Sequence, residues 1–513
     1  MRKRSSIIMI LLLCLSLWGC RKSPQPQDVT DAGNTTDTTV HTDFTGTTGA
    51  SDATEPTDTV GSADTTKPAE ITTPTTGNSA DSNSGGSQDS NSSEASTQAT
   101  QQTEHVCAFG KWVVKLKATC QKEGREERSC SKCGEKESRA IAKAAHNFGN
   151  YNMCKTCFFV DFDSSAKLVE LGIPTYQHYS VGAVANYVWD VKVWNGRVYR
   201  GAGDYDKNSG AAPIFAFDIA TQKWHSYGTV PDQAVHRFEE IGGTLWTPGI
   251  DPSGSWDMGN YYMLKDGKWE TKRNLPQGIH NFDMAEHDGK IFAGLGIKKT
   301  GNIVVMSDDG GETFRGIPLY KDGAPVDFTQ YKASRVYEFL IYNGDIYALA
   351  YFQGGFGGMY SVFRYEDGKM VYVGPAGGLS AGVGTNRNHW NGAFEFDGAC
   401  YLTSYYLYAI TDFANQESFE KLEMPNKERV SDALLRDGVI YVLCFKEDSK
   451  TKEYNTVIYK STTGKKGSFE EVTSFTYPTY PCSFDTDGTY FYIGTAAAIN
   501  DTAKNGMMLR VKP

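Results

Sequence analysis

The sequence predicts an all-β protein in which residues 160–513 form a seven-bladed β-propeller. Two recurring features predict this fold. A hairpin turn ending in Gly returns about every 50 residues, and an apolar strand followed by proline returns in step with it. Helical periodicity is missing from this region, where short alternating or apolar runs are separated by Gly, Asp and Asn.

The recurring turn is a residue pair ending in Gly, followed one residue later by two apolar or aromatic residues. Asn-Gly and Asp-Gly supply the positive φ that a tight hairpin requires. The seven turns are Asn195-Gly196, Gly242-Gly243, Asp288-Gly289, Asn343-Gly344, Asp397-Gly398, Asp437-Gly438 and Asp487-Gly488. One hairpin in each unit, at a period near 50, is typical of a β-propeller.

Prolines mark the end of the outer strand of each unit, because proline cannot continue a β-ladder. They are Pro231, Pro276, Pro318, Pro375, Pro425 and Pro478. A seventh, Pro174, follows an apolar stretch that precedes the first hairpin, whereas the last unit stops one strand short at 508–511. We therefore expect the N-terminal strand to complete the last blade and close the propeller.

Residues 1–20 predict export. Three cations at positions 2–4 precede an apolar run, 7–18, that is too short for a comfortable membrane span and is typical of a signal peptide. The run ends in Leu17-Trp18-Gly19-Cys20, which resembles the bacterial lipoprotein box. The resemblance implies that Cys20 is lipidated and anchors the chain to the extracytoplasmic face of the cell membrane. An ordinary cleaved signal is the alternative.

Residues 21–104 predict a disordered tether. Ser and Thr make up 32 of these 84 residues, and the only aromatic is Phe44, so the segment lacks the apolar surface that folding needs. It carries 3 cations and 13 acids, a net −10 that equals the formal charge of the whole chain. The remaining 105–513, with 45 cations and 48 acids, has no basic excess. This charge balance excludes a general nucleic-acid binder.

Residues 105–158 predict a small Cys-rich module. The run Ala118-Thr119-Cys120, with Gly124, Arg128 and Cys130-Ser131-Lys132-Cys133-Gly134, resembles a repeat common in surface proteins of Gram-positive bacteria, which implies a surface module without an activity. Two Cys-x2-Cys knuckles separated by 20 residues have a spacing compatible with a zinc ribbon. The candidate ligands of this structural zinc are Cys130, Cys133, Cys154 and Cys157.

Two alternatives remain open for this module. Cys107, Cys120, His105 and His146 could replace or supplement some of the zinc ligands. Disulfides are the competing interpretation, because small exported modules often need them. Three further cysteines, Cys400, Cys444 and Cys482, stand alone in apolar strands, and this odd number of free thiols favours metal in a reducing habitat.

Charged residues recur at fixed positions before the hairpin glycine, on the innermost strand that lines the propeller channel. Nine residues before the glycine lie His280, Arg335, His389 and Arg429, and six residues before it lie Asp190, Asp283, Glu338 and Asp432. They form either ion pairs that fasten adjacent blades or a polar funnel for anionic or hydroxyl-rich ligands. Aromatic residues in nearby loops suit carbohydrate. The ligand-binding candidates are His280, Asp283, Arg335, Glu338, His389, Trp390, Arg429 and Asp432.

The segment 307–314, Ser-Asp-Asp-Gly-Gly-Glu-Thr-Phe, resembles the Asp-box of sialidases and related propellers, and the 50-residue period resembles kelch-like propellers. The Asp-box is a structural turn and implies the fold, not chemistry. Catalytic signatures such as G-x-S-x-G, H-E-x-x-H and phosphate loops are missing from the sequence.

We therefore expect a monomeric surface lipoprotein whose propeller binds a glycan or a protein ligand. The alternative is a surface carbohydrate-active enzyme, a glycoside hydrolase or lyase, using His280, Asp283, Glu338 and His389.

Overall fold

The computed structural model describes residues 105–180, 182–204, 209–253, 257–297, 301–354, 360–376, 379, 392–496 and 503–513. The signal sequence, Cys20 and the tether lie outside these residues, as do His389 and Trp390. The described chain is all-β, as predicted. Its short helical turns are 3-10 helices at Asn150–Asn152, Pro174–Gln177, Val184–Asn186, Phe328–Gln330 and Gln416–Ser418. Among these residues no helix has the length and apolar character needed to cross a membrane.

The described residues belong to two compact units: one contains 111–128 and the described residues from 137 onward, and the other contains 105–110 and 129–136. The Cys-rich region has a three-stranded sheet of β1 (Val113–Leu116), β2 (Gly124–Ser129) and β3 (Lys136–Ile141). All four residues of β1 are exposed. This sheet therefore has little apolar core to hold it together.

From residue 168 onward the chain folds into antiparallel four-stranded units, which we call meanders. The first strand is β4 (Leu168–Gly172). Meander 1 is β5 (Val191–Trp194), β6 (Arg197–Arg200), β7 (Ala212–Asp218) and β8 (Lys223–Val230). Meander 2 is β9 (Glu239–Ile241), β10 (Thr244–Pro248), β11 (Met258–Lys265) and β12 (Lys268–Pro276). Meander 3 is β13 (His280–His287), β14 (Lys290–Ile297), β15 (Val304–Ser307) and β16 (Arg315–Gly316).

A short hairpin, β17 (Leu319–Lys321) and β18 (Ala324–Pro325), follows meander 3. Meander 4 is β19 (Ala333–Tyr342), β20 (Asp345–Gln353), β21 (Tyr360–Glu366) and β22 (Lys369–Pro375). Because β14 pairs with β19 and β17 pairs in parallel with β22, meanders 3 and 4 and the hairpin form one ten-stranded sheet.

The remaining meanders are separate four-stranded sheets. Meander 5 is β23 (Ala393–Phe396), β24 (Ala399–Ser404), β25 (Tyr406–Ile410) and β26 (Phe419–Leu422). Meander 6 is β27 (Arg429–Arg436), β28 (Val439–Glu447), β29 (Tyr454–Ser461) and β30 (Glu470–Tyr477). Meander 7 is β31 (Tyr480–Thr486), β32 (Phe491–Ala496), β33 (Met508–Val511) and β4.

The predicted Gly turns each join the first and second strands of a meander. At Asn195 and Gly196 φ is 46° and 72°, the left-handed pair that a two-residue hairpin needs. The predicted prolines lie at the ends of the outer strands or just beyond them; Pro276, for example, is the last residue of β12. Local sequence therefore predicts both the turns and the strand ends.

The strand that closes the last meander comes from the N-terminal side, as the sequence predicts. β4 pairs antiparallel with β33, with Leu168 opposite Val511 and Gly172 opposite Met508. Apolar clusters fill the spaces between successive meanders; the cluster between meanders 7 and 1 contains Leu171, Val191 and Tyr492. Consecutive four-stranded meanders, the last one completed by the first strand, are the topology of a β-propeller.

Candidate functional sites

The Cys-rich region contains two groups of possible metal ligands, each with three cysteines and one histidine. Metal cluster 1 is His105, Cys107, Cys130 and Cys133, and metal cluster 2 is Cys120, His146, Cys154 and Cys157. Within each cluster the ligand atoms lie within 4.8 Å of one another. Both clusters could hold a metal such as zinc. The four cysteines predicted to share one zinc are therefore divided between two sites.

Metal cluster 1 is built on the first knuckle. The Gly134 N–H donates to the Cys130 carbonyl at 2.9 Å, and Gly134 takes the left-handed conformation with φ 75° that this tight turn needs. The Sγ atoms of Cys107 and Cys133 are 3.8 Å apart, and His105 Nε2 lies 3.6 Å from Cys107 Sγ. A hydrogen bond from His105 lowers the pKa of Cys130 to about 5, which favours the thiolate form that metals bind.

Metal cluster 2 is built on the second knuckle and is more buried. Cys154 is fully buried and Cys157 is 4% exposed. The Phe158 N–H donates to the Cys154 carbonyl at 2.9 Å, repeating the turn of the first knuckle. Cys120 Sγ lies 3.8 Å from Cys154 Sγ, and His146 Nδ1 lies 3.3 Å from Cys157 Sγ.

The sulfur spacing fits a shared metal. A tetrahedral zinc with Zn–S bonds of about 2.3 Å places its sulfur ligands about 3.8 Å apart, whereas a disulfide brings two sulfurs to about 2.0 Å. Both measured Sγ–Sγ distances are 3.8 Å. This sulfur spacing in each cluster is therefore compatible with zinc.

The predicted cations lie at or near the N-terminal ends of first strands. His280 Nδ1 lies 2.8 Å from the Ile250 carbonyl. Arg335 donates to the Tyr337 hydroxyl at 3.0 Å, and its guanidinium lies over the Phe282 ring. Arg429 is exposed.

Aromatic side chains gather beside these cations. They form what we call the aromatic floor: Tyr187, Trp189, Phe282, Tyr337 and Tyr480, which belong to one apolar cluster contributed by several meanders. The Phe282 and Tyr337 ring centroids are 4.7 Å apart, and the Tyr187 and Tyr480 hydroxyls are 3.1 Å apart. His280 and Arg335 are half-buried at its side. The structure thus brings two of the predicted cations together with aromatic rings.

Three of the predicted acids, Asp190, Asp283 and Asp432, link neighbouring meanders. Asp283 and Asp432 are buried and Asp190 is half-buried. Asp190 accepts the Phe238 N–H at 2.8 Å, Asp283 accepts the Phe339 N–H at 2.6 Å, and Asp432 accepts the Phe484 N–H at 2.9 Å. In each case the donor is in the first-strand region of the next meander. We call this contact the carboxylate latch. Ser483 takes the same role between meanders 7 and 1, accepting the Val191 N–H at 3.1 Å.

β-bulges place two of the latch side chains, Asp283 and Asp432. The ladder register shifts between Asn281 and Asp283, and between Val430 and Asp432. The extra residue in each bulge re-aims the following side chain. The acid recurs in the sequence because the same bulge recurs in the fold.

Arg237 is a buried residue that the sequence interpretation missed. It lies six residues before Gly243, where four other meanders carry an acid. Its Nη1 donates to Asp283 Oδ1 at 2.7 Å and its Nη2 to Glu338 Oε2 at 2.6 Å. Arg237 is 6% exposed, Asp283 3% and Glu338 2%. Burial raises the pKa of both carboxyls, and the guanidinium opposes that shift. Inspecting this position for any charge, not only for acids, would have found it.

The Asp-box-like segment forms the turn between β15 and β16. Ser307 Oγ accepts the Gly311 N–H at 2.8 Å, and Asp309 accepts the Thr313 N–H at 2.9 Å. Tyr261 of meander 2 donates its hydroxyl to the Gly311 carbonyl at 2.6 Å. These contacts make the segment a packing element between meanders 2 and 3.

No family model matches this chain, and no curated protein sequence is significantly similar to it. Solved structures are similar at 11–12% identity. The structure described as YCF48 bound to D1 peptide covers 70% of this chain and 100% of its own, with TM-score 0.39. PorZ of Porphyromonas gingivalis, described as a surface component of the type-IX secretion system, covers 75% and 55%, with TM-score 0.38. The propeller domain of the trilobed protease from Pyrococcus furiosus covers 63% and 92%, with TM-score 0.37. Similarities this low carry no argument about this chain.

Replacing Arg237 tests the buried ion-pair group. We expect Arg237→Met to lower the free energy of unfolding by about 3–5 kcal/mol, because two buried carboxyls lose their cation. Urea unfolding of the full chain followed by tryptophan fluorescence measures this. The matched control is Arg273→Met, which breaks a more exposed pair with Asp257 and should cost about 1 kcal/mol or less. Equal losses in the two variants would contradict a special role for Arg237.

Asp432 should give the fold a pH-dependent stability. Burial raises the pKa of Asp432 well above its ordinary value of 3.8, so the folded chain holds this proton at pH values where the unfolded chain has lost it. The contribution of Asp432 to the free energy of unfolding therefore falls as the pH rises above about 4. Denaturation at about pH 5 and about pH 8 should show a shallower pH dependence in Asp432→Asn than in the wild type.

The control for this measurement is Asp437→Asn in the exposed hairpin turn of the same meander, which should leave the pH dependence unchanged. A pH dependence that is identical in the wild type and in Asp432→Asn would refute the assignment.

Proposed function

We propose that this chain is a bacterial extracytoplasmic lipoprotein that displays a seven-bladed β-propeller for binding a glycan or a protein ligand at the cell surface. The observation that carries the ligand-binding proposal is the aromatic floor with His280 and Arg335 at its side. Several meanders contribute to this floor, and we propose that the ligand binds beside it.

Seven blades are supported by the order of the strands. Within the described residues seven meanders follow one another, each with its own Gly turn, and β4 completes the seventh. β4 supplies the fourth strand of the seventh meander, so segments from the two ends of the propeller sequence are joined in one sheet.

The chemistry of the floor favours a hydroxyl-rich or anionic ligand. Tyr337 and Tyr480, the half-buried rings of the floor, can offer apolar surface to the C–H groups of a sugar. An arginine beside them can form charge-assisted hydrogen bonds with carboxylates or hydroxyls. An acidic glycan and an acidic protein segment share these features. Arg429 is exposed on the first strand of meander 6 and is proposed to extend the same surface.

Binding requires no catalytic group, and the described carboxyls favour binding over turnover. Asp283 and Glu338, the acids that an enzyme would use, are buried and bonded to Arg237. We therefore assign them to the fold.

The remaining segments are proposed to attach and space the propeller. Lipid on Cys20 would hold the chain to the membrane, since two or more acyl chains give stable attachment, and residues 21–104 would serve as a flexible tether. The Cys-rich module is proposed to bind zinc as a structural metal.

Ligand binding is tested by screening the full chain against immobilised acidic and neutral polysaccharides and surface-protein extracts. For a ligand so found, Arg335→Ala and His280→Ala should each weaken binding about tenfold, the effect of losing about 1.4 kcal/mol. The matched control is Lys421→Ala, a cation over the Tyr406 ring on the outer strand of meander 5, which should bind normally.

Normal ligand binding by both Arg335→Ala and His280→Ala would contradict the proposed binding site. Release of reducing sugar by the wild type, abolished in His280→Ala, would favour the enzyme instead.

Lipid anchoring is tested in a bacterial host by acyl-chain labelling and membrane fractionation. Full-length protein should take up label and sediment with membranes, and Cys20→Ala should lose both properties. Cys14→Ala, a change inside the apolar run, is the matched control and should remain labelled. Membrane attachment of Cys20→Ala would rule out lipidation at this residue.

A further inference from the structure

We propose that metal clusters 1 and 2 bind two separate zinc ions with different roles, and that the zinc in metal cluster 2 stabilises the closure of the propeller. This inference rests on the proposal that the Cys-rich module binds zinc, and it assigns the number of ions and the task of each.

Each cluster provides a complete zinc site. Three thiolates and one imidazole fill a tetrahedral shell, leaving no open position, so each ion is structural. Thiolate-rich ligand sets select zinc among the common divalent ions. The imidazole faces cluster 1 through Nε2 of His105 and cluster 2 through Nδ1 of His146.

The ligands of the two clusters alternate along the chain. Positions 105 and 107 belong to cluster 1, position 120 to cluster 2, positions 130 and 133 to cluster 1, and positions 146, 154 and 157 to cluster 2. Each ion thus closes a loop that contains a ligand of the other. Because β1 is exposed along its whole length, metal bonds replace the apolar core that this module lacks.

The residues that directly follow metal cluster 2 in the chain contact meander 1. The Val160 N–H donates to the Gln222 carbonyl at 2.9 Å, and the Trp224 N–H donates to the Phe158 carbonyl at 3.1 Å. Phe159 forms a β-bridge with Lys223, the first residue of β8. The three residues after the second knuckle therefore cover the start of the outer strand of meander 1.

Residues flanking the second knuckle also complete the core at the junction of meanders 7 and 1, which we call the seam. Met153 and Val160 are fully buried in the same apolar cluster as Leu171 of β4. Trp224 of meander 1 donates its indole N–H to the Leu171 carbonyl at 2.7 Å. The seam is thus packed against the peptide that holds Cys154 and Cys157.

Phe158 shows that this peptide needs external support. Its φ is 59°, a left-handed conformation that is uncommon for a bulky residue; the equivalent residue of the first knuckle is Gly134. Such a conformation persists only where the surroundings fix it. A metal bonded to Cys154, the first residue of this turn, and to Cys157, which directly precedes Phe158, supplies that constraint.

Zinc that binds the folded chain but not the unfolded chain adds its binding free energy to the stability of the fold. For cluster 2 the structure held by the ion includes the seam, whereas cluster 1 lies wholly within 105–110 and 129–136. Metal loss at cluster 2 should therefore weaken the propeller, and metal loss at cluster 1 should not.

The experiment uses the full chain purified in reducing, zinc-containing buffer, with metal content measured by elemental analysis and propeller unfolding by calorimetry. The wild type should contain two zinc ions, and Cys133→Ser and Cys157→Ser one each. Cys157→Ser should lower the Tm of the propeller by about 5 °C or more, and Cys133→Ser should leave it unchanged.

Chelation separates loss of zinc from the cost of the substitution itself. Chelator should lower the propeller Tm of the wild type and of Cys133→Ser, and added zinc should restore it, but chelator should have no further effect on Cys157→Ser. If Cys157→Ser fails to fold, the reversible response of the wild type and of Cys133→Ser still decides the question.

Two experimental outcomes would distinguish failure of the role proposed for metal cluster 2 from failure of the zinc proposal itself. Two bound zinc ions with a propeller Tm that ignores chelation would overturn the role of cluster 2 while leaving structural zinc intact. No bound zinc, or cysteines found oxidised to disulfides in the natural host, would overturn the zinc proposal itself.

Discussion

The carboxylate latch is the interaction on which the arrangement of the meanders depends. Apolar clusters join neighbouring meanders, but apolar packing is not directional and would tolerate sliding of one sheet over the next. A buried carboxyl group that accepts a backbone N–H from the following meander fixes that register, because a missed hydrogen bond would leave polar groups unsatisfied in the interior. Asp190, Asp283 and Asp432 each make this contact.

The carboxylate latch buries acidic groups, and meander 2 supplies a cation that compensates some of them. Burial disfavours ionisation of these acids and raises the pKa of Asp190 and of Asp283. Meander 2 places Arg237 where the others place an acid, and one guanidinium serves two carboxyls. The cations beside the aromatic floor, His280 and Arg335, lie three residues before Asp283 and Glu338 on the same strands.

Sequence predicts those parts of the structure that local chemistry determines. Asn-Gly and Asp-Gly turns define the hairpins, proline defines the ends of outer strands, and a strand deficit at 508–511 predicts closure by 168–172. Long-range choices leave no local signal. Two Cys-x2-Cys knuckles predict two halves of a metal site, but the spacing between them fits one shared ion as well as two; only the fold brings His105 to the first knuckle and Cys120 and His146 to the second. Arg237 stayed hidden because its partners, Asp283 and Glu338, are 46 and 101 residues away.

The proposed membrane tether would give the position of metal cluster 2 a mechanical role. Any force between an anchored N-terminus and a ligand held on the propeller passes along the chain through 105–157 before it reaches β4, the strand that closes meander 7. Pulling β4 out of its pairing with β33 would open the propeller at the seam, since this is where its two chain ends meet. A zinc ion bonded to Cys154 and Cys157, upstream of β4 and attached to β8 through Phe158 and Val160, would divert that load into meander 1 before it reaches the closing strand.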